Sequence, residues 1–246
     1  MRVILDQFFN FNIVKDNFPE IMLGFSKTLL LSIIGGALAL TWGLILSLLR
    51  QTPGRLGVLV RAPVIAYIDI FRGIPLLLVV LLLYFGLGNL TSDGTIPEFI
   101  GRPTWFGQIS AFWIGVYALT ITYGAYMAEV YRAGIEGVPG GHMEAARSLG
   151  MSHRQAMRHV IVPQAVRRVT PPLLNDFIAL MKDTALVSVI SLQEVVKTGQ
   201  DINSINFNSS ALTMGAILFL IVTIPLARIL DRMIANQQMK VQRATA

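Results

Sequence analysis

The residues between positions 29 and 49 carry no charged side chain, and this run restricts the possible folds more than any other feature. A helix needs about 20 mostly apolar residues to cross a bilayer, and backbone polar groups in lipid must be satisfied internally. Only 14% of the residues in the whole chain are charged, whereas a soluble domain carries roughly a quarter. The sequence therefore predicts an all-α integral membrane protein.

Apolar runs of similar length recur along the chain and predict about five transmembrane helices. The predicted spans are residues 21–49, 63–87, 108–131, 172–192 and 211–230. Together they define a transmembrane domain at 21–235, with a long polar connection at about 132–170 and a cytoplasmic tail at 236–246. Residues 1–20 alternate apolar and polar side chains, which predicts an extracytoplasmic interfacial helix, with a frayed tail as the alternative.

The positions of lysine and arginine predict the orientation, because these residues accumulate on the cytoplasmic side of membrane proteins. Thirteen of them, including Arg55, lie between spans one and two, between spans three and four, and after span five. Five lie on the opposite side. The N-terminus is therefore predicted outside and the C-terminus in the cytoplasm of a multi-pass protein of the cytoplasmic membrane.

The polar connection contains an unusual segment, 141–164, that reads as two short helices joined at a glycine. Glu144, Ala145 and Ala146 favour a helix, and Gly150 stands where a left-handed C-terminal cap is expected. A capping box then begins at Ser152, and Pro163 is expected to end the second helix. The small side chains predict a corner that another surface can approach closely.

Three alternatives remain open for this corner. A helix-turn-helix would use Arg154 and Arg158 on DNA, but it normally needs a third helix, and here both ends are tethered to membrane spans. Arg147 and the same two arginines could instead contact lipid headgroups. The segment could also be a solvated loop with two helical turns.

The spacing of this segment resembles the signature loop of bacterial ABC importer permeases. Glu-Ala-Ala at 144–146 is followed by Gly150 and then by Val-Ile-Val-Pro ending at Pro163. Four fragments, at 71–87, 128–152, 162–168 and 180–192, are similar to the permeases for polar amino acids of the histidine, glutamine, glutamate and arginine type. The likeness extends from about residue 24 to residue 232.

The resemblance implies a type I importer permease fold that moves a polar amino acid into the cytoplasm by alternating access. It implies a second permease subunit, either a copy of this chain or a paralogue, two ATP-binding subunits, and an extracytoplasmic amino-acid-binding protein. Glu144, Ala145, Ala146, Gly150 and Pro163 would form the coupling corner that docks on the ATPase. Nucleic acid is not an expected partner.

The chain itself is not expected to be an enzyme or to bind a cofactor. A Walker A loop requires Gly-Lys before Ser or Thr, and none of the five lysines follows a glycine. ATP and magnesium are therefore expected on another polypeptide. The chain has no cysteine, no HExxH and no GxSxG, and its three histidines all lie in the corner segment. These absences disfavour a metal site and an intramembrane enzyme.

Ionisable residues inside the predicted spans are candidates for the substrate pathway or gate, because charge at membrane depth is costly. They are Asp69, Arg72, Glu129, Asp176, Lys182 and Asp183, with Pro75 as a helix-bending residue. Asp69 could simply pair with Arg72, and the 182–184 segment could hold the fourth span against a partner. Glu129, with Tyr123 and Tyr126 on the same side, could pair with Arg132 or line the exit.

A self-contained secondary transporter is the remaining alternative. Such proteins commonly contain paired inverted repeats, and no internal repeat is visible in these 246 residues. The residues do not distinguish among glutamine, glutamate, arginine, histidine or another polar amino acid as substrate.

Overall fold

A computed structural model of the protein describes residues 2–54 and 57–245. Its α-helices are α1 Arg2–Phe9, α2 Phe11–Asp16, α3 Phe18–Arg50, α4 Gly57–Gly73, α5 Leu76–Ser92, α6 Glu98–Gly101, α7 Ser110–Glu136, α8 Gly140–Ser148, α9 His153–Ala156, α10 Val162–Asp183, α11 Val195–Asn206 and α12 Ser210–Thr245. No β-strand occurs in the described ranges. The all-α prediction is confirmed. Arg55, which entered the orientation count, lies outside the described residues.

Among the described residues, three helices are long and apolar enough to cross a membrane: Phe18–Arg50, Ser110–Glu136 and Ser210–Gln237. They correspond to the first, third and fifth predicted spans. The second predicted span is broken, because α4 and α5 meet at a bend of 108°. If this bent pair counts as one span, four helical segments of the described chain satisfy the length and composition requirements.

Pro75 causes the break between α4 and α5. Its φ and ψ of −57° and 134° place it outside helical geometry at the N-cap of α5. A proline disfavours helical backbone in the residue before it and has no N–H to continue the hydrogen-bond ladder. The last helical bond of α4 runs from the N–H of Ile74 to the carbonyl of Ile70, at 3.1 Å. The predicted bend is therefore present, and at 108° it divides the segment into two separate helices.

The fourth predicted span, 172–192, does not form one α-helix. Helix α10 ends at Asp183, and a 3₁₀-helix follows at Thr184–Ile190. The hydroxyl of buried Thr184 donates to the carbonyl of Met181 at 2.7 Å. Ser191 then adopts a left-handed φ of 62° that ends the tighter helix. Charged residues within α10 also keep it below the hydropathy of the three spanning helices.

The centre of the fold is the contact between α3 and α7. Gly43 permits the close approach, since a Cβ there would lie 2.8 Å from the Cβ of Met127 and 2.9 Å from the carbonyl oxygen of Gly124. Both faces of α7 contribute to the main core, in which Phe112 and Leu119 are fully buried. Helices α3 and α12 instead expose many aliphatic side chains, which is typical of surfaces in contact with lipid or another subunit.

The N-terminal segment is packed against the turn between α11 and α12. The N–H of Ser209 donates to the carbonyl of Gln7 at 2.9 Å, and the N–H of Asn10 donates to the hydroxyl of Ser210 at 2.7 Å. The side-chain amide of Asn208 donates to the carbonyl of Asp6 at 2.8 Å. The alternative of a frayed tail is therefore wrong for residues 2–17. The interfacial position of this segment stays a prediction.

The C-terminal helix continues beyond the membrane-length portion of the chain. Helix α12 extends to Thr245, so the segment predicted as a tail at 236–246 is helical as far as residue 245, and Ala246 lies outside the described residues. The side-chain amide of Gln237 donates to the carbonyl of Arg167. This bond connects the C-terminal third of α12 to the first half of α10.

Candidate functional site

The first helix of the corner ends in a Schellman motif. Gly150 has a φ of +85°, its N–H donates to the carbonyl of Arg147 at 3.0 Å, and the N–H of Met151 donates to the carbonyl of Ala146 at 3.2 Å. These two bonds satisfy carbonyls that the end of a helix leaves unpaired. The predicted glycine cap is confirmed, and it fixes the direction in which the chain leaves α8.

The second part of the corner begins with the predicted capping box. The side-chain oxygen of Gln155 accepts from the N–H of Ser152 at 2.8 Å, and the hydroxyl of Ser152 accepts from the N–H of Gln155 at 3.3 Å. Such a reciprocal pair satisfies two backbone donors and specifies a helix start. Only Met151 separates the capping box from the glycine cap, so the corner has little freedom.

The expectation that Pro163 ends the second helix is wrong. A π-helical turn at Met157–Ile161 follows α9, and α10 begins directly after it at Val162. The N–H of Val162 donates to the carbonyl of Met157, five residues earlier. Pro163 then occupies the first turn of α10, where a missing N–H costs least. The wider π-turn lets helical structure continue through the proline.

Helical continuity also argues against the helix-turn-helix alternative. The α-helical part of the second element is only His153–Ala156, and it leads through the π-turn into a helix that extends to Asp183. A recognition helix must be free to enter the major groove. Here the same helix is packed against α7, so only its first residues protrude.

The surface of the corner combines an apolar tip with small and acidic residues. Leu149 is 81% exposed, and Glu144 and Ala145 are exposed beside it. Ala146 is buried, so it supports the corner from inside. A small apolar cluster built on Val138, Ile161 and Ala165 lies beneath, with Met143 and Met157 packed on it. An exposed leucine on a rigid, capped turn is well suited to insertion in a cleft.

A second group of polar residues lies where α4, α7 and α10 meet. The hydroxyl of Tyr123 donates to the carboxylate of Asp183 at 2.7 Å. The hydroxyl of Tyr126 donates to the carbonyl of Arg72 at 3.3 Å, and the Arg72 guanidinium carbon lies 5.8 Å from the centre of the Tyr126 ring. The two tyrosine rings are 5.9 Å apart. Tyr123 and Tyr126 thus belong to this group rather than to that of Glu129.

Asp176 belongs to the same polar group, because it lies within electrostatic range of both Arg72 and Tyr123. Both predicted carboxylates of α10 therefore lie near Tyr123. Asp69 and Lys182 are exposed and form no salt bridge in the described part of the chain. The alternative in which Asp69 simply pairs with Arg72 is therefore not what the structure contains. Arg72 and Asp176 also form no salt bridge in the described residues.

Glu129 forms an ionic network that connects α3 to α7. Its carboxylate pairs with the guanidinium of Arg50 and accepts from Arg132 at 2.7 and 2.9 Å. Arg132 also pairs with Glu136. The pairing with Arg132 was one of the two predicted roles of Glu129. The bond to Arg50 was not expected, since sequence spacing gives no information about which span end lies beside α7.

Sequence analysis did not identify Glu194, which is fully buried before α11. Its carboxylate accepts from the N–H groups of Lys197 at 2.7 Å and Val196 at 3.0 Å, and from the hydroxyl of Thr28 at 3.4 Å. Burial raises the pKa of the Glu194 carboxyl above its ordinary value of 4.5, although these hydrogen bonds oppose the shift. An acidic residue just before an amphipathic helix was the available signal for this cap.

The apolar helices and the polar corner are those of a membrane-embedded component, and comparison with known proteins identifies the class. Residues 39–237 match the family described as binding-protein-dependent transport system inner membrane component. The chain belongs to this family. It is a permease subunit of the amino acid ABC transporter type.

Individual relatives narrow the comparison. The probable glutamine ABC transporter permease protein GlnM of Bacillus subtilis is 36% identical over 225 residues, covering 89% of this chain and 93% of the relative. The glutamine transport system permease protein GlnP of Escherichia coli K12 is 31% identical over 234 residues, covering 95% of this chain and 99% of the relative. The arginine transport system permease protein ArtQ of Bacillus subtilis is 31% identical over 199 residues, covering 81% of this chain and 83% of the relative.

Solved structures agree with this assignment. A crystal structure of an amino acid ABC transporter with histidines contains a chain that superposes with a TM-score of 0.75 at 33% identity, covering 89% of this chain and 94% of that one. A chain of the MetNI methionine ABC transporter in an inward-facing conformation gives a TM-score of 0.70 at 18% identity, covering 90% of this chain and 97% of that one. At that identity the likeness to the methionine transporter shows the fold alone.

Proposed function

We propose that this chain moves a polar amino acid into the cytoplasm by alternating access, driven by ATP hydrolysis on a separate chain docked at the 141–163 corner. The proposal is supported above all by the helical connection from the corner to the polar group. From His153 the chain remains helical through the π-turn and α10 as far as Asp183. A displacement of the corner would therefore be transmitted along α10 to Asp176 and Asp183.

The polar group suits a zwitterionic ligand. The guanidinium of Arg72 can pair with the α-carboxylate of an amino acid, and the carboxylate of Asp176 can pair with its α-ammonium group. Tyr123 orients Asp183 through a hydrogen bond of 2.7 Å and supplies an aromatic wall together with Tyr126. Glutamine and arginine occur in the names of relatives, so we propose a polar amino acid in general rather than one of them.

The proposed assembly contains a second permease subunit, either this chain or a paralogue, two ATP-binding subunits and an extracytoplasmic amino-acid-binding protein. ATP and magnesium would be held by the ATP-binding subunits. The orientation that fits this assembly has the N-terminus outside and the C-terminus and corner in the cytoplasm, as the lysine and arginine distribution predicts.

ATPase activity in proteoliposomes tests the coupling role. The full-length chain is reconstituted with the ATPase and binding protein encoded beside it, and hydrolysis is measured across a panel of polar amino acids. Glu144→Lys reverses an exposed charge at the corner and is expected to abolish stimulation by substrate. Glu20→Lys reverses an exposed charge in the first turn of α3 and is expected to leave stimulation intact.

A second pair of variants tests the substrate site separately. Arg72→Gln and Asp176→Asn remove one charge each from the polar group, so both are expected to raise the substrate concentration for half-maximal transport about tenfold or more. Neither change alters the corner, so the ATPase should still co-purify. If no amino acid stimulates hydrolysis by the wild-type assembly, or if Glu144→Lys behaves like Glu20→Lys, the proposed coupling is wrong.

A further inference from the structure

We propose that Arg102 and the cavity between α5 and the start of α7 bind the phosphate group of an anionic phospholipid at the membrane–water interface. This site is distinct from the corner and from the polar group of α4, α7 and α10. It lies in the connection between the second and third predicted spans.

A close helix contact fixes the position of Arg102. The preceding residue, Gly101, ends the short helix α6 and lies so close to α5 that a Cβ at this position would overlap the hydroxyl oxygen of Thr91. The Arg102 guanidinium therefore returns across the end of α5. Its Nη2 donates to the hydroxyl of Ser92 at 2.6 Å and to the carbonyl of Gly88 at 3.2 Å.

The positive charge of Arg102 has no ionic partner in the described residues. Asp93 and Glu98 lie nearby in the sequence, yet neither forms a salt bridge with it. Both bonds of the guanidinium go to uncharged oxygens and both use Nη2. Nη1 and Nε therefore remain as donor nitrogens with three N–H groups between them, and such donors can bind a phosphate through charge-assisted hydrogen bonds.

The cavity beside this guanidinium has polar and apolar walls. It measures about 270 Å³. Asn89 and Ser110 provide hydrogen-bonding groups, while Tyr84, Phe85 and Ile114 provide the apolar wall. Phe85 is 60% exposed on the outer surface of α5. The first part of the acyl chain of a lipid bound at Arg102 could therefore pack against this apolar wall.

Neighbouring aromatic residues place this site at headgroup depth. Trp105, three residues after Arg102, is 39% exposed; its ring lies 5.3 Å from that of buried Trp113, and the indole N–H of Trp113 donates to the carbonyl of Trp105 at 3.0 Å. Tryptophan and tyrosine concentrate at membrane–water interfaces. A guanidinium at that depth can bind the phosphate of an anionic lipid through charge-assisted hydrogen bonds.

Arg102 also caps the carbonyl end of α5, and the experiment must separate this structural role from lipid binding. Arg102→Gln removes the charge but keeps a side-chain amide able to donate to Gly88. Ser110→Phe leaves the guanidinium in place and fills the cavity. Lys15→Gln is the matched control, because it removes one exposed positive charge from the side of the membrane on which the lysine and arginine distribution also places Arg102.

Native mass spectrometry of the purified assembly containing the full-length chain measures retention of phosphatidylglycerol against phosphatidylcholine. We expect wild type and Lys15→Gln to prefer phosphatidylglycerol about fivefold or more. Arg102→Gln and Ser110→Phe should each reduce this preference to less than about twofold. Melting temperatures in lipid-free detergent confirm that the variants are folded.

Three outcomes would overturn the proposal. The first is an unchanged preference for phosphatidylglycerol in either cavity variant with a wild-type melting temperature. The second is an equal loss of that preference in Lys15→Gln, which would indicate a general charge effect. The third is displacement of phosphatidylglycerol by an equal concentration of inorganic phosphate, which would identify a site for free anions instead of a lipid.

Discussion

Replacing Gly150 by alanine tests whether the geometry of the corner depends on one left-handed residue. No atom lies within 4 Å of where a Cβ would be placed at this glycine, so the substitution causes no steric clash. The cost comes from the backbone, because a φ of +85° is unfavourable for a residue with a Cβ by about 1–2 kcal/mol. This cost corresponds to about a 5- to 30-fold larger population of opened corner.

Gly141 provides a matched control in α8, the helix that Gly150 caps. A Cβ added to Gly141 would also meet no neighbour within 4 Å, but this glycine lies inside α8 with helical backbone. Gly141→Ala should therefore stabilise α8 by up to about 1 kcal/mol. Gly150→Asn should cost less than Gly150→Ala, since asparagine tolerates the left-handed conformation better.

Hydrogen exchange measures these differences directly at the corner. In Gly150→Ala, exchange at residues 146–151 should accelerate about 5- to 30-fold relative to wild type, and stimulation of ATP hydrolysis should fall with it. Gly141→Ala should slow exchange in α8. Equal exchange rates in the two alanine variants would show that the left-handed cap does not hold the corner, and the reasoning would then be refuted.

Further predictions concern packing and the buried carboxylate. Glu194→Ala should lower the free energy of unfolding by about 1–3 kcal/mol, because it removes a cap and leaves the N–H groups of Val196 and Lys197, both part-buried, without their partner. Glu194→Gln should cost less. Since burial raises the Glu194 pKa, the folded state binds more protons, so wild type should gain stability relative to Glu194→Gln as pH falls toward 4.5; a pH-independent difference in melting temperature would contradict this. Gly43→Ala should destabilise by about 1–3 kcal/mol through overpacking against Met127. Gly86 has open space around it, so Gly86→Ala should not destabilise the fold. Similar melting temperatures for Gly43→Ala and Gly86→Ala would disprove the proposed helix contact.

The corner shows how far local sequence information reaches. The glycine cap and the capping box were both predicted correctly, because each involves residues within five positions of one another and depends on backbone geometry. The effect of Pro163 was predicted wrongly, because a π-turn relieves the clash between a proline ring and the preceding turn that normally ends a helix. The π-turn ends at Ile161, which packs with Ala165 against Val138, and the sequence does not reveal this contact.

The sequence by itself determined the membrane class, the helical architecture and the position of the polar corner. These follow from hydropathy and hydrogen-bonding requirements that apply along the chain. Tertiary structure alone decided that Asp183 meets Tyr123, that Arg72 lies over Tyr126 and that Arg50 pairs with Glu129. The physical reason is that these pairs are separated by tens of residues, so their contacts depend on which helices pack together and at what depth.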